Sequence, residues 1–86
     1  MKQNKLVDRF KKPLRVLAFN GSLKLVAIFQ SYSAAEKITG SKHQVLLRCC
    51  NGQMISSNGL YFREVPEDTI IDIDDLNTLT LLEFDL

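Results

Sequence analysis

Two runs rich in Val, Leu, Ile and Phe, Leu14 to Phe19 and Leu23 to Phe29, are separated by only Asn20-Gly21-Ser22. β-Branched and aromatic side chains suit the pleated surface of a strand, and an Asn-Gly-Ser group tolerates the positive φ of a tight reversal. The pair predicts a β-hairpin. Because the pattern that follows is helical, the hairpin commits the chain to an α+β fold, and 86 residues leave room for one core and no second one.

From residue 31 onward the period changes. Ser31 or Ser33 can cap a helix, and Ser33-Ala34-Ala35-Glu36 fits a capping box, in which serine and glutamate each satisfy an amide that the helix start leaves free. Gly40 ends that helix. Ser41-Lys42-His43-Gln44 repeats the box with glutamine in the third place, which predicts a second helix from about Lys42 to Cys50, closed by Asn51-Gly52. Two short helices joined through a glycine turn have the outline of a helix-turn-helix. After a polar loop around Ser56-Ser57-Asn58-Gly59, Leu60 to Val65 alternates apolar and polar, reads as a third strand returning to the hairpin, and is broken by Pro66. Ile71 and Ile73 alternate with acids, which suggests a short edge strand. The expected core is Val16, Ala18, Val26, Ile28, Ala35, Ile38, Leu46, Cys49, Leu60 and Phe62, with the opposite face of each strand as the alternative.

The expected organisation is a basic N-terminal arm over residues 1–13, a helix-turn-helix-like module over 14–65 and an acidic C-terminal extension over 66–86. Leu6, Val7 and Phe10 stand at helical spacing in the arm, which Pro13 closes. Charge follows the same division. All eleven Lys and Arg residues lie in positions 1–63 against Asp8 and Glu36 alone, a local charge of +9, whereas the last twenty-three residues hold eight acids and no base. A net charge of +1 therefore conceals a basic body and an acidic tail. The tail either packs across the domain's own positive surroundings or has an electrostatic role of its own.

Several function classes are set aside by the same reading. At 45% hydrophobic and 24% charged the chain has a globular composition. No apolar run approaches the ~20 residues of a membrane span, and Met1 to Lys5 lacks the apolar core of a secretory signal, so the expected location is the cytoplasm, with no membrane partner. Cys49 and Cys50 are sequence neighbours, with α-carbons about 3.8 Å apart against the ~4.4 Å lower end of disulfide geometry, and read as reduced thiols filling apolar space. His43 is the only histidine, and seven residues of helix separate it from Cys50, a rise of about 10 Å that excludes a proton-transferring dyad. Zinc wants more ligands than these, and Asp72, Asp74 and Asp75 lack the turn glycine and closing glutamate of a calcium loop. With no phosphate loop, serine elbow or dinucleotide fingerprint either, the expectation is a binding module with no catalysis, metal or cofactor.

On a wheel of about 100° per residue, Val45, Leu46 and Cys49 fall on one side of the second helix, with Cys50 at the margin. Gln44, Leu47 and Arg48 fall opposite, and Lys42 and His43 sit at the N-terminal end, where a recognition helix first meets base edges. Arginine can reach guanine bidentately, glutamine can do so with adenine, and leucine can pack on a thymine methyl. Lys24, Lys37, Lys42 and Arg63 are candidates for phosphate contacts, together with Arg15 and the arm's Lys2, Lys5, Arg9, Lys11 and Lys12.

The stretch Phe29-Gln30-Ser31-Tyr32-Ser33-Ala34-Ala35, then Thr39-Gly40, then Leu46-Leu47-Arg48-Cys49-Cys50-Asn51-Gly52, then Gly59-Leu60-Tyr61-Phe62-Arg63, resembles the nuclease-associated modular DNA-binding domain found beside homing endonucleases. The likeness covers about residues 15–63. It implies a strand pair with a turn glycine, matched by Gly21, a small helix-turn-helix, and a closing glycine-aromatic strand. It also implies DNA as the partner in preference to RNA, with the second helix as reader. The rival expectation is a protein-interaction module that pairs through the hairpin edge or through Ile71 to Leu82.

Overall fold

The computed structural model describes residues 14–86; the basic segment 1–13, with the helical turn expected around Leu6, Val7 and Phe10, lies outside the described residues. Strands β1 (Val16–Phe19), β2 (Leu25–Phe29) and β3 (Tyr61–Glu64) form an antiparallel sheet in the order β2-β1-β3. Helices α1 (Tyr32–Thr39) and α2 (His43–Cys50) lie between β2 and β3 in the chain, and a 3₁₀ turn (Ile73–Asp75) and a short helix α3 (Leu81–Asp85) follow β3. The fold is α+β, with the hairpin, helix pair and returning strand that the pattern predicts.

The hairpin differs from expectation in two details. Its reversal runs over Asn20 to Lys24, with the Asn20 Oδ1 accepting from the amides of Ser22 at 2.9 Å and Lys24 at 3.1 Å. The positive φ falls on Leu23, at 64°, not on Gly21, because the asparagine side chain organises a longer loop than a two-residue turn. Val16, Leu17 and Ala18 pair with Phe29, Ile28 and Ala27, and the register then slips so that Phe19 faces Leu25. Val26 is the residue left over at this bulge, which is why it is 38% exposed and not in the core. The slip also turns Leu25 over to the side of Leu17 and Phe19, whereas strict alternation would have kept it with Ala27 and Phe29.

The sheet is covered on both faces. On one, Val16, Ala18, Phe29 and Phe62 pack against Tyr32 and Ala35 of α1 and Leu46 and Cys49 of α2. On the other, Leu17, Phe19, Leu25 and Val65 pack against Leu81, with Ile28, Ile71, Leu76, Leu79 and Phe84 partly buried around them. Ile28 and Leu60 are thus only partly buried, and Ile38, expected inside, is 75% exposed. The inward stripe of α1 runs through Tyr32 and Ala35, and its next position is Thr39, whose hydroxyl donates back to the Ala35 carbonyl at 2.7 Å.

Residues 66–86 form the second covering layer and not an edge strand. Ile71 is irregular and partly buried, while Ile73 sits in the 3₁₀ turn at 74% exposure. The acids around it cap that turn: the Asp72 side chain accepts from the Asp74 amide, and that of Asp75 accepts from the Asp72 amide. Thr80 and Glu83 make the same reciprocal pair at the start of α3. Pairing comes further on, where the amides of Leu25, Asn77 and Leu81 donate to the carbonyls of Leu79, Leu25 and Leu23 along the outer edge of β2. Arg63 grips Asp85 through two bonds of 3.0 and 3.1 Å, and the Arg15 guanidinium donates to the Thr69 carbonyl at 3.0 Å.

If this layer is integral, Leu81→Ala, at 6% exposure, costs about 2 to 4 kcal/mol in urea denaturation, while Leu82→Ala, at 69%, stays within about 0.5 kcal/mol. Equal effects would mean the layer adds nothing to stability.

Candidate nucleic-acid interface

Three residues, Gly40 to Lys42, separate α1 from α2. Gly40 takes the left-handed conformation at φ 78°, which closes α1 by a bond from its amide to the Glu36 carbonyl. Ser31 caps α1, accepting from the Ala34 amide at 3.1 Å, so Ser33 lies inside the helix and the expected Ser33–Glu36 box does not form. The second expected box is also absent. The cap position of α2 is Lys42, with no side-chain bond, because Ser41 is buried and its hydroxyl is spent on Ser57 at 2.7 Å and Asn58 at 3.1 Å.

That network ties the turn between α1 and α2 to the loop before β3. Ser57 and Leu60 bond each other reciprocally at 3.0 Å across Asn58 and Gly59, both at positive φ. Asn58 then donates to the Thr39 carbonyl at 3.0 Å. A small hairpin tip is therefore docked on the turn between the helices. The Asn58-Gly59 pair carried this signal in sequence, since that dipeptide favours a two-residue turn with both residues left-handed.

On α2, Leu46 and Cys49 are buried and Val45 and Cys50 are half-buried, as the wheel predicts. Lys42, His43, Gln44, Leu47 and Arg48 are all exposed, with Leu47 at 39%. Gln44, Leu47 and Arg48 thus form the open side of α2, with His43 at its first turn and Lys42 at the cap position just before it. Lys37 is exposed on the last turn of α1. The other two candidates stand apart from them: Lys24 bridges to Thr80 through the backbone, and Arg63 is engaged by Asp85, so both lie on the side of the C-terminal layer.

Tyr32 stands in the stretch that carries the family resemblance but has no assigned role there, and no motif marks Glu64. The His43 ring stacks on the Tyr32 ring, with centroids 5.0 Å apart and planes 29° apart. The Tyr32 hydroxyl donates to Glu64 at 2.7 Å, tying α1, α2 and β3 together, and the Cys50 thiol lies beside it. Burial, and then the neighbouring Cys50 and Glu64, push the Tyr32 phenol well above its usual range. Burial likewise pushes up both thiols, a rise that Arg63 partly offsets at each and that the Tyr32 hydroxyl partly offsets at Cys50. Both cysteines are free.

No protein-family model matches the chain, nor does any curated protein or solved structure. Among the described residues no helix is long and apolar enough to cross a membrane, and no group of three or more His, Cys, Asp or Glu side chains could hold a metal ion.

The raised groups give alkaline unfolding a definite sign. Each binds its proton more tightly in the fold, so their contribution is complete below the ordinary thiol value of about 9 and is lost as pH rises past it. Tyr32→Phe removes one such group and the bond to Glu64. It should cost about 1 to 2 kcal/mol at pH 7 and make the fall in stability from pH 8 to 11 shallower, as read by urea midpoints across that range. An unchanged alkaline slope would show that the phenol is not held protonated by the fold.

Proposed function

We propose that the chain is a non-enzymatic binding module that holds duplex DNA through the outward face of α2. One observation carries this reading: His43, Gln44, Leu47 and Arg48 are all exposed on one helix, with Lys42 exposed at its cap, and the turn before that helix is bonded to the following loop through Ser41, Ser57 and Asn58. An amphipathic helix offered in this way fits the major groove of B-form DNA, whereas the major groove of A-form RNA is too deep and narrow for side chains to read.

The roles follow from chemistry. Arg48 and Gln44 carry the bidentate groups suited to guanine and adenine, and Leu47 offers a methyl-packing surface. Lys42 and Lys37 supply phosphate contacts at the edge of the same face. His43, stacked on Tyr32, has its ring held in one orientation at the leading end of the helix. The likeness of residues 15–63 to the nuclease-associated modular domain supports the same assignment. Glu64 lies on the helix side, where it accepts from Tyr32, but the apolar contacts of residues 65–86 are with the sheet face turned away from α1 and α2, and the acids of that segment go with them. The module is expected to act in the cytoplasm without a cofactor.

Fluorescence anisotropy against random-sequence and selected duplexes at low salt tests this. Arg48→Ala and Gln44→Ala should each cost about 1 to 3 kcal/mol of affinity for a selected site while leaving the melting temperature unchanged, since both side chains point outward. Lys42→Ala should weaken all duplexes alike and lower the salt slope by about one. Absence of duplex binding by the folded protein at low salt would overturn the assignment.

A further inference from the structure

The segment leaving β3 and the later part of the C-terminal layer border an open concavity of about 380 Å³. Its lining includes the half-buried Ile71, Leu79 and Phe84 and the exposed Pro66 and Ile70. Ile70 is 89% exposed, although a residue of this kind is normally withdrawn from water. Asp75 and Glu83 also line it. Glu67 and Asp68 lie in the chain between two lining residues, Pro66 and Thr69, both exposed and in no ion pair with any described residue.

The acids here divide by what the fold asks of them. Asp72, Asp75 and Glu83 cap helical turns, and Asp85 holds Arg63. No such duty falls to Glu67 or Asp68 in the described structure, and no base occurs in the chain after Arg63 to balance them. A trough lined by apolar side chains and by Asp75 and Glu83, with Glu67 and Asp68 in the adjoining chain in no ion pair among the described residues, discriminates by charge: it repels nucleic acid and anionic lipid, and it attracts a cationic chain that also has apolar side chains to bury.

We infer that this trough is a docking groove for a basic peptide segment of a partner protein, with an aliphatic or aromatic side chain seated on Ile71, Leu79 and Phe84 and flanking Lys or Arg residues meeting Glu67, Asp68 and Asp75. The groove is open along one side, so it suits a segment laid across it and not an enclosed small molecule. It is independent of the reader face on α2, and a chain engaged at both would join a basic protein to DNA.

The test uses the full chain and a short fluorescent peptide in which Leu and Phe are flanked by Arg. Two control peptides carry Glu for each Arg, or Ser for each apolar residue. The first peptide binds, weakens as salt rises, and outcompetes both controls. Ile70→Ser lowers its affinity about tenfold, the loss of one apolar anchor, and Glu67→Gln with Asp68→Asn lowers it several-fold and flattens the salt dependence. Neither variant moves the melting temperature, because the side chains are exposed, and neither alters duplex affinity. Arg48→Ala leaves peptide binding intact, so the two sites fail separately. Equal binding of the Ser-substituted peptide, or full affinity in Ile70→Ser, overturns the groove. Tighter peptide binding in Phe10→Ser would show that the chain's own basic segment is the occupant, and would overturn the assignment to a partner.

Discussion

Strand β1 is the constraint from which the rest of the structure follows. Val16, Leu17, Ala18 and Phe19 are all fully buried, and consecutive residues of a strand point to opposite faces of the sheet. A strand with four buried residues in a row needs cover on both sides. The helix pair supplies one cover and the acidic extension the other. Fully burying a side chain such as Leu17 or Leu25 contributes about 1.5 to 3 kcal/mol, against roughly 5 to 15 kcal/mol for the net stability of a whole domain. Uncovering the face that carries Leu17, Phe19 and Leu25 would therefore remove a large share of what holds so small a fold together.

This explains which parts of the fold can be read from the residues and which cannot. Elements set by local chemistry are legible: the asparagine turn, Gly40 at the end of α1, Asn51-Gly52 at the end of α2, and the division of α2 into a buried side of Leu46 and Cys49 and an open side of Gln44, Leu47 and Arg48. Elements set by tertiary competition are not. Ser41 has the sequence of a cap, but its hydroxyl is worth more as a buried partner for Ser57 and Asn58. Val26 has the composition of a core residue and becomes the spare residue of a bulge. Val16 to Phe19 could have been read as a strand buried on both faces, since four apolar residues without alternation are the mark of one. The capping pairs Asp72 with Asp75 and Thr80 with Glu83 were likewise present in the extension, hidden among acids that invite a purely electrostatic reading.

The candidate interface shows the same split. Its reader residues follow from one helical period and are legible, whereas the support beneath them is not. Tyr32, Glu64 and Asn58 come from three separate parts of the chain, and only the fold brings them to the two helices. Tyr32 fixes the His43 ring from α1, Glu64 fixes Tyr32 from β3, and Asn58 fixes the turn from the hairpin tip. A helix of eight residues is too short to hold its own orientation, and such second contacts are what give a short reader helix a defined pose.

Charge segregation then follows from the layering. The Arg63–Asp85 pair looks like the fastener between the basic body and the acidic extension, but its side chains are 26% and 42% exposed, so solvent screens it and its net worth is small. Packing of the buried Leu81 and the partly buried Ile71 and Leu79 against the sheet holds the extension in place. Apart from Glu64, whose carboxylate accepts from Tyr32 on the helix side, most acids of this segment follow Val65 into the layer on the far sheet face, where Asp72, Asp75 and Glu83 cap its turns. The doubly covered central strand thus sets that acidic layer and the exposed side of α2 on opposite faces of one sheet.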